Sequence, residues 1–199
     1  MTFLEILEQP RQLWRQHTIV LVLLLALIGG AVVYPSDLPG YHAAPYDGAQ
    51  DPLVTGTEDY GRHLNTLLAL AVPLMARDPA GFRQLAVITL AGILATHGPK
   101  RLLDGLVIGA TRLGERPHSP DSQHNMPSGH SALASSVVWF LGRRYSWWLA
   151  LITVPITLLT MYARVMLNAH TFSAVIAGCL IGLVIAALFT TQRQRARKA

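Results

Sequence analysis

Charge is scarce in this 199-residue chain. Asp, Glu, Lys and Arg make up 14% of it, against roughly a quarter in a soluble domain, while 51% is hydrophobic and mean hydropathy is +0.36. That balance excludes an ordinary water-soluble globule. Cysteine occurs once, at Cys179 inside an apolar run, which excludes an intrachain disulfide and a cysteine-based metal site. Internal repeats and low-complexity tracts are absent. The net charge of +5 has no basic stripe with interleaved aromatics behind it, because the basic residues are dispersed between apolar segments. Nucleic acid is therefore not an expected partner.

What the chain has instead is a series of apolar runs separated by polar turns. Residues 1–17 read as an amphipathic lead-in, with Arg11, Trp14 and Arg15 suited to a membrane surface. Spans are expected near 18–34, 62–76, 82–97, 129–142, 147–163 and 171–190, and 191–199 form a basic tail. The first run has the basic start of a signal peptide but no small-residue cleavage site, and Tyr34-Pro35 suits an interfacial end. It is read as a retained span. The fourth is short, ~14 residues reaching ~21 Å against a hydrocarbon core of ~30 Å. It needs Trp139, Arg143 and Arg144 as anchors, or neighbouring protein around its polar start. Residues 35–61, rich in Pro, Gly, Asp and Tyr, are an extramembrane loop, and RLLDGLVIGATRL at 101–113 is amphipathic enough to lie along the interface. Gly178 and Gly182 have the spacing for close helix packing.

The expected fold is an all-α single membrane domain, a bundle of six transmembrane helices with both termini in the cytoplasm. Charge sets the orientation. With six spans, the termini and the loops on their side hold 10 of the 16 basic residues, and the other side holds eight of the 11 acids. The same count gathers Lys100, Arg116, Ser128, His130, Arg164 and His170 on the outer face.

Those residues suit one chemistry. Asn125-Met126-Pro127-Ser128-Gly129-His130-Ser131 combines a Pro-Ser-Gly turn with a helix start at Ser128, which points backbone N–H groups, a hydroxyl and an imidazole into one space. A phosphate monoester brings about two negative charges and asks for placed cations and donors. Arg116 and Arg164 offer bidentate contacts, Lys100 a point charge, and Ser128 with the Gly129 N–H complete a cradle. Two histidines, His130 and His170, permit covalent catalysis, one attacking phosphorus and the other protonating the leaving oxygen. A zinc site at His118, His124 and His130 is the competing reading, but two equal gaps with only Asp121 among them match no familiar ligand spacing. No metal and no other cofactor is expected.

The order Lys…Arg-Pro…Pro-Ser-Gly-His…Arg-(five residues)-His resembles the type-2 phosphatidic acid phosphatase family. The family's second motif stands in full as Pro127-Ser128-Gly129-His130, its third is matched by Arg164-Val-Met-Leu-Asn-Ala-His170, and the Arg-Pro of the first by Arg116-Pro117. The resemblance implies a six-helix membrane phosphatase without a metal requirement. It makes His170 the nucleophile of a phosphohistidine intermediate and His130 the general acid, then base. Lys100, Arg116, Ser128, Gly129 and Arg164 would bind the phosphate. Two positions depart from the pattern. Gly109 stands where the family has its lysine, leaving Lys100, Arg101 or Arg112 to supply that cation. Ala174 stands where the family often has an Asp that orients the nucleophilic imidazole, leaving Ser173, a backbone carbonyl or Asp104 for that task. From about Met75 to Thr190 the chain is similar to the lipid A 1-phosphatase branch of the family. That similarity implies removal of the 1-phosphate of lipid A at the periplasmic face of a bacterial inner membrane. Undecaprenyl pyrophosphate or glycerophospholipid hydrolysis, lipid phosphotransfer, vanadate-dependent haloperoxidation and a non-catalytic lipid-binding scaffold stay open beside it.

Overall fold

Helix starts are set by short polar side chains. The computed structural model describes residues 1–43, 47–109, 111–119 and 121–193, so the expected basic tail lies outside them from residue 194 on. Helix α1 (Phe3–Val33) opens on a capping box in which Thr2 and Glu5 satisfy each other's backbone N–H groups. Its halves, Phe3–Arg15 and Thr18–Val33, stand at 96° to one another, so the lead-in and the first apolar run share one bent helix. Two short helices follow, α2 (Leu38–Ala43) and α3 (Pro52–Gly56), and a π turn at Thr57–Gly61 feeds α4 (Arg62–Met75). Asp78 caps α5 (Pro79–Leu102), and Ser128 caps α6 (Gly129–Arg144). After a 3₁₀ turn at Trp147–Leu149, α7 (Ala150–Met166) leads to α8 (Phe172–Phe189), capped by Thr171. Each of these three caps accepts from the N–H three residues on, satisfying a donor the helix itself leaves unpaired.

Among the described residues the fold is all-helical apart from one small hairpin and an isolated Arg116–Ser119 bridge. By length and apolar composition α5, Trp147–Met166 and α8 can cross a membrane, and α1 makes a fourth crossing if its bent halves form one span. The six expected spans thus reduce to three or four by this criterion. The reason is length. α4 has 14 residues and α6 has 16, which reach ~21 Å and ~24 Å against a core of ~30 Å.

α6 is nonetheless the centre of the bundle, with Phe140 and Leu141 fully buried against Ala69, Ile88, Ile185 and Ala186. α8 closes on it through two glycines. A Cβ on Gly178 would overlap the Ser128 carbonyl oxygen, and one on Gly182 the Ala132 carbonyl oxygen. That approach lets the Ser128 N–H donate to the Ala174 carbonyl at 2.9 Å and the Ser135 hydroxyl to the Cys179 carbonyl at 2.8 Å. Asn65 pins α4 to both neighbours, donating to the Ala134 and Thr153 carbonyls and to the Thr157 hydroxyl at 2.9–3.2 Å.

The two ends of the bundle differ. At one, the Arg144 guanidinium holds both Asp78 carboxylate oxygens at 2.7 and 2.8 Å, and Tyr145 donates to the same carboxylate at 2.9 Å. Arg83 donates to the Met1 carbonyl, and the Arg193 N–H to the Arg144 carbonyl. The first residue, the α4–α5 and α6–α7 connections and the last described residues therefore meet at this end. The other end carries strands β1 (Val107–Ile108) and β2 (Thr111–Arg112), paired antiparallel. The segment 101–113 is thus partly a hairpin rather than a continuous amphipathic strip. Leu113 is 1% exposed and packs with Met126, Ala174 and Ala177 beneath the polar site. Val107, Ile108 and Thr111 are β-branched, which favours the extended form in so short a piece.

Candidate active site

Lys100 lies in the last turn of α5, Arg116 in the loop beyond the hairpin, Gly129 and His130 in the first turn of α6, Arg164 in the last turn of α7 and His170 just before the Thr171 cap. All six line a single cavity of about 310 Å³. Four separate stretches of sequence converge there because α5 and α7 end, and α6 and α8 begin, around it. Ser128 is the exception. It is fully buried as the α6 cap, its oxygen accepts from the Ser131 hydroxyl at 3.0 Å, and it does not line the cavity.

His170 is 2% exposed and its ring is fixed. Nδ1 lies 2.7 Å from the Asn125 carbonyl oxygen. A carbonyl can only accept, so Nδ1 carries the hydrogen. Burial, then the charges of Arg164, Lys100 and Arg116, hold this imidazole well below its ordinary pKa, with the Asn125 carbonyl opposing them. That shift favours the neutral ring, in which Nε2 holds the lone pair. Of the orienting partners open in the sequence, the backbone carbonyl is the one that reaches it. The Ser173 hydroxyl is engaged with Thr171 and Ser36, and Asp104 with Arg112. Asn125 is itself locked in place, its side chain accepting from the Thr171 N–H at 3.0 Å and donating to the Thr171 hydroxyl at 3.1 Å.

The cations are held with donors to spare. Arg164 is 8% exposed and gives one nitrogen to Glu58 at 2.6 Å, and Arg116 gives one to the His124 carbonyl at 3.1 Å. The Nε of each guanidinium is buried without a hydrogen-bond partner among the described residues. Such orphaned donors cost about 1–3 kcal/mol each. Arg116 is shifted below the usual guanidinium pKa, first by burial and then by Arg164. Like charges are thus crowded together with one carboxylate, Glu58, shared between Arg164 and Arg62. The excess positive charge matches a phosphate monoester of about two negative charges.

The three candidates for the lysine position differ in placement. Arg112 is engaged with Asp104 and Glu115, Arg101 is exposed, and Lys100 lines the cavity. Gly109 begins the two-residue hairpin connection at φ +60°, the left-handed region where a lysine Cβ is disfavoured. The lysine that lines the cavity stands at the end of a helix, not in the loop. Among the described residues no three His, Cys, Asp or Glu side chains gather as metal ligands, and His118 donates Nδ1–H to the Asn168 carbonyl at 2.8 Å. The sequence reading missed Glu58, in the π turn before α4 and 106 residues from Arg164. Nothing in its local pattern marks it. It also left Asn125 without a role, although that residue begins the central stretch.

Two guanidinium groups, each with a buried unpaired Nε, beside two imidazoles are equipment for phosphoryl transfer. In a helical chain of this hydropathy they define a multi-pass membrane phosphatase, a phosphoric monoester hydrolase. Residues 82–198 match the family model of the PAP2 superfamily, and the chain belongs to that superfamily. It is 42% identical over 138 residues to the lipid A 1-phosphatase of Helicobacter pylori strain ATCC 700392 / 26695, a match covering 69% of this chain and 72% of the relative. With the lipid A 1-phosphatase of H. pylori strain J99 it shares 38% over 169 residues, 85% and 84% of the two chains. With the lipid A 4'-phosphatase of that strain it shares 36% over 123 residues, 61% and 62% of the two. No solved structure matches.

Proposed function

We propose that this protein removes the 1-phosphate of lipid A at the periplasmic face of a bacterial inner membrane, through a phosphohistidine at His170. We read 1–199 as one membrane domain of six crossings with both termini cytoplasmic, the shorter α4 and α6 being surrounded by protein where they fall short of the bilayer. The observation that carries the reading is His170 itself. Its proton is committed to Asn125, and its free Nε2 borders a cavity shared with two guanidinium groups that each hold an unpaired Nε.

Lys100, Arg116, Arg164 and the Gly129 N–H hold the phosphate oxygens. The Nε2 lone pair attacks phosphorus, a P–N bond forms, the P–O bond to the sugar breaks, and His130 gives its proton to the leaving oxygen. Water then attacks the phosphohistidine, His130 takes a proton from it, and the P–N bond breaks to release inorganic phosphate. Ser128 contributes by holding the turn that presents Gly129 and His130. The choice of lipid A and of its 1-position is supported by the two lipid A 1-phosphatases whose matches cover most of this chain.

The test is an assay of purified protein on bisphosphorylated lipid A, with phosphate release and mass spectrometry of the product. Loss of the glycosidic phosphate from wild type is expected, with no turnover by His170→Ala or His130→Ala variants that remain folded. Loss of the other phosphate would move the reading to the 4'-position. Hydrolysis at the wild-type rate by folded His170→Ala would end the phosphohistidine mechanism.

A further inference from the structure

One face of α5 joins the phosphate cavity to a second cavity that the chemistry above does not use. Phe82, Ala86, Thr89, Ile93, Thr96 and Lys100 follow one another in alternating steps of four and three, the spacing of a single helix face. The last four line the phosphate cavity and the first four a second cavity of about 590 Å³ between α4, α5 and α6. Thr89 and Ile93, with Leu133 of α6, are walls of both. The passage is charged at its head and apolar below, where two threonine hydroxyls are the polar side chains of the second cavity. From Lys100 back to Phe82 is a run of ~27 Å at ~1.5 Å per residue, close to the ~30 Å depth of a hydrocarbon core.

We infer that this groove is the subsite for an acyl chain of the substrate, laid down α5 between α4 and α6 while the phosphate ester sits among Lys100, Arg116 and Arg164. The inference rests on the lipid phosphatase reading and deepens it. The occupant has to be anionic at one end and hydrocarbon along its length, because the two cavities share walls and only the upper one holds charge. A partner helix would fill the lower cavity without engaging the upper. Gly92 marks the junction. It lines the upper cavity, and a Cβ built on it meets nothing within 4 Å. A larger side chain there enters the passage without striking backbone, and leucine is also the better helix former. Ala86, exposed on the same face, offers a second block farther down.

Their depths differ, and that difference is the signature. Gly92 lies ~12 Å below Lys100 along the helix and Ala86 ~21 Å below it. The experiment compares wild type, Gly92→Leu and Ala86→Phe on synthetic lipid phosphates of graded acyl length, with a water-soluble aryl phosphate confirming a working fold. For wild type, kcat/KM is expected to climb by up to about fourfold per added methylene, the worth of burying one. In Gly92→Leu the climb stops early, so the ratio of long-chain to short-chain kcat/KM falls by about tenfold or more. In Ala86→Phe it stops later, at longer chains. Variant profiles that superimpose on wild type, or losses independent of chain length and of which site is blocked, overturn the groove while leaving the phosphatase standing. Wild-type protein silent on every phosphate overturns the phosphatase reading, and the groove falls with it.

Discussion

Glu58 shows how one residue tunes the site without entering the reaction. Its Oε1 accepts from Arg62 at 2.5 Å and from Arg164 at 2.6 Å, while its other oxygen is buried without a partner among the described residues. The bond to Arg164 fixes the guanidinium that lines the cavity, and the bond to Arg62 lies outside it. Two effects oppose each other when the carboxylate is removed. The cavity gains net positive charge, which favours phosphate. Arg164 loses a buried charge-assisted hydrogen bond worth about 1.5–3 kcal/mol and is free to leave its transition-state position. The second is the larger where geometry decides the rate. Glu58→Ala is therefore predicted to lower kcat/KM by about 10- to 100-fold, and Arg62→Ala by no more than about threefold. Steady-state kinetics of the two variants check this, and equal losses would show that Glu58 acts only as a surface counterion. No reading of the local sequence finds such a residue. Pro127–His130 and Arg164–His170 are legible because their chemistry is contiguous or evenly spaced, whereas Glu58 meets its arginine across 106 positions and the Asn125 carbonyl meets His170 across 45. A backbone carbonyl leaves no mark in a sequence at all.

Between elements, the contact that matters most away from the site joins the start of α5 to the end of α6. Asp78 and Arg144 side chains are 6% and 4% exposed, paired at 2.7 Å, and braced by Tyr145, Gln84 and Thr191. Burial alone would raise the Asp78 carboxyl, but hydrogen bonds from Arg144, the Gly81 N–H and Tyr145, with the Arg144 charge, bring it down to about 2. The sign follows. A carboxyl with a folded pKa below its ordinary 3.8 contributes stability that is complete above that value and lost as pH falls through about 2. Removing one partner leaves the other charge buried and alone, so Asp78→Ala is predicted to cost about 3–5 kcal/mol, with much of that recovered in Asp78→Leu/Arg144→Met. Thermal melts in detergent at neutral pH test it. A single variant melting with wild type would show that the pair is not holding α5 to α6. In sequence Asp78 reads as part of a turn and Arg144 as an interfacial anchor, both sound local readings. The pairing depends on how α5 and α6 pack. Gly178 and Gly182 were legible for the opposite reason, since their spacing on one helix is itself the packing signal.

At the scale of the whole molecule, chemistry and chain ends are kept apart. The six cavity residues sit at one end of the bundle, and Met1, Asp78, Arg144 and Arg193 meet at the other, with the 24 residues of α5, ~36 Å of helix, running between. The end where Met1 and Arg193 meet is also the one expected to carry 10 of the 16 basic residues when the chain is folded as six crossings. Positive charge is retained on the cytoplasmic side, so the cavity is predicted to open to the periplasm. Two exposed glutamines allow a direct measurement without altering charge: Gln123, in the loop beside Arg116, and Gln192, next to the Asp78–Arg144 network. In a Cys179→Ala background, Gln123→Cys should react with a membrane-impermeant thiol reagent in intact spheroplasts, and Gln192→Cys only after permeabilisation. The reverse pattern would put the cavity in the cytoplasm and end the periplasmic proposal. Equal labelling of both in intact spheroplasts would mean that the bundle does not separate its ends across the bilayer. The helix lengths make the experiment necessary, because α4 and α6 reach ~21 Å and ~24 Å and cross only if the surrounding helices cover their polar ends. Labelling on opposite faces would show that packing against α5, α7 and α8 completes what those two helices lack in length.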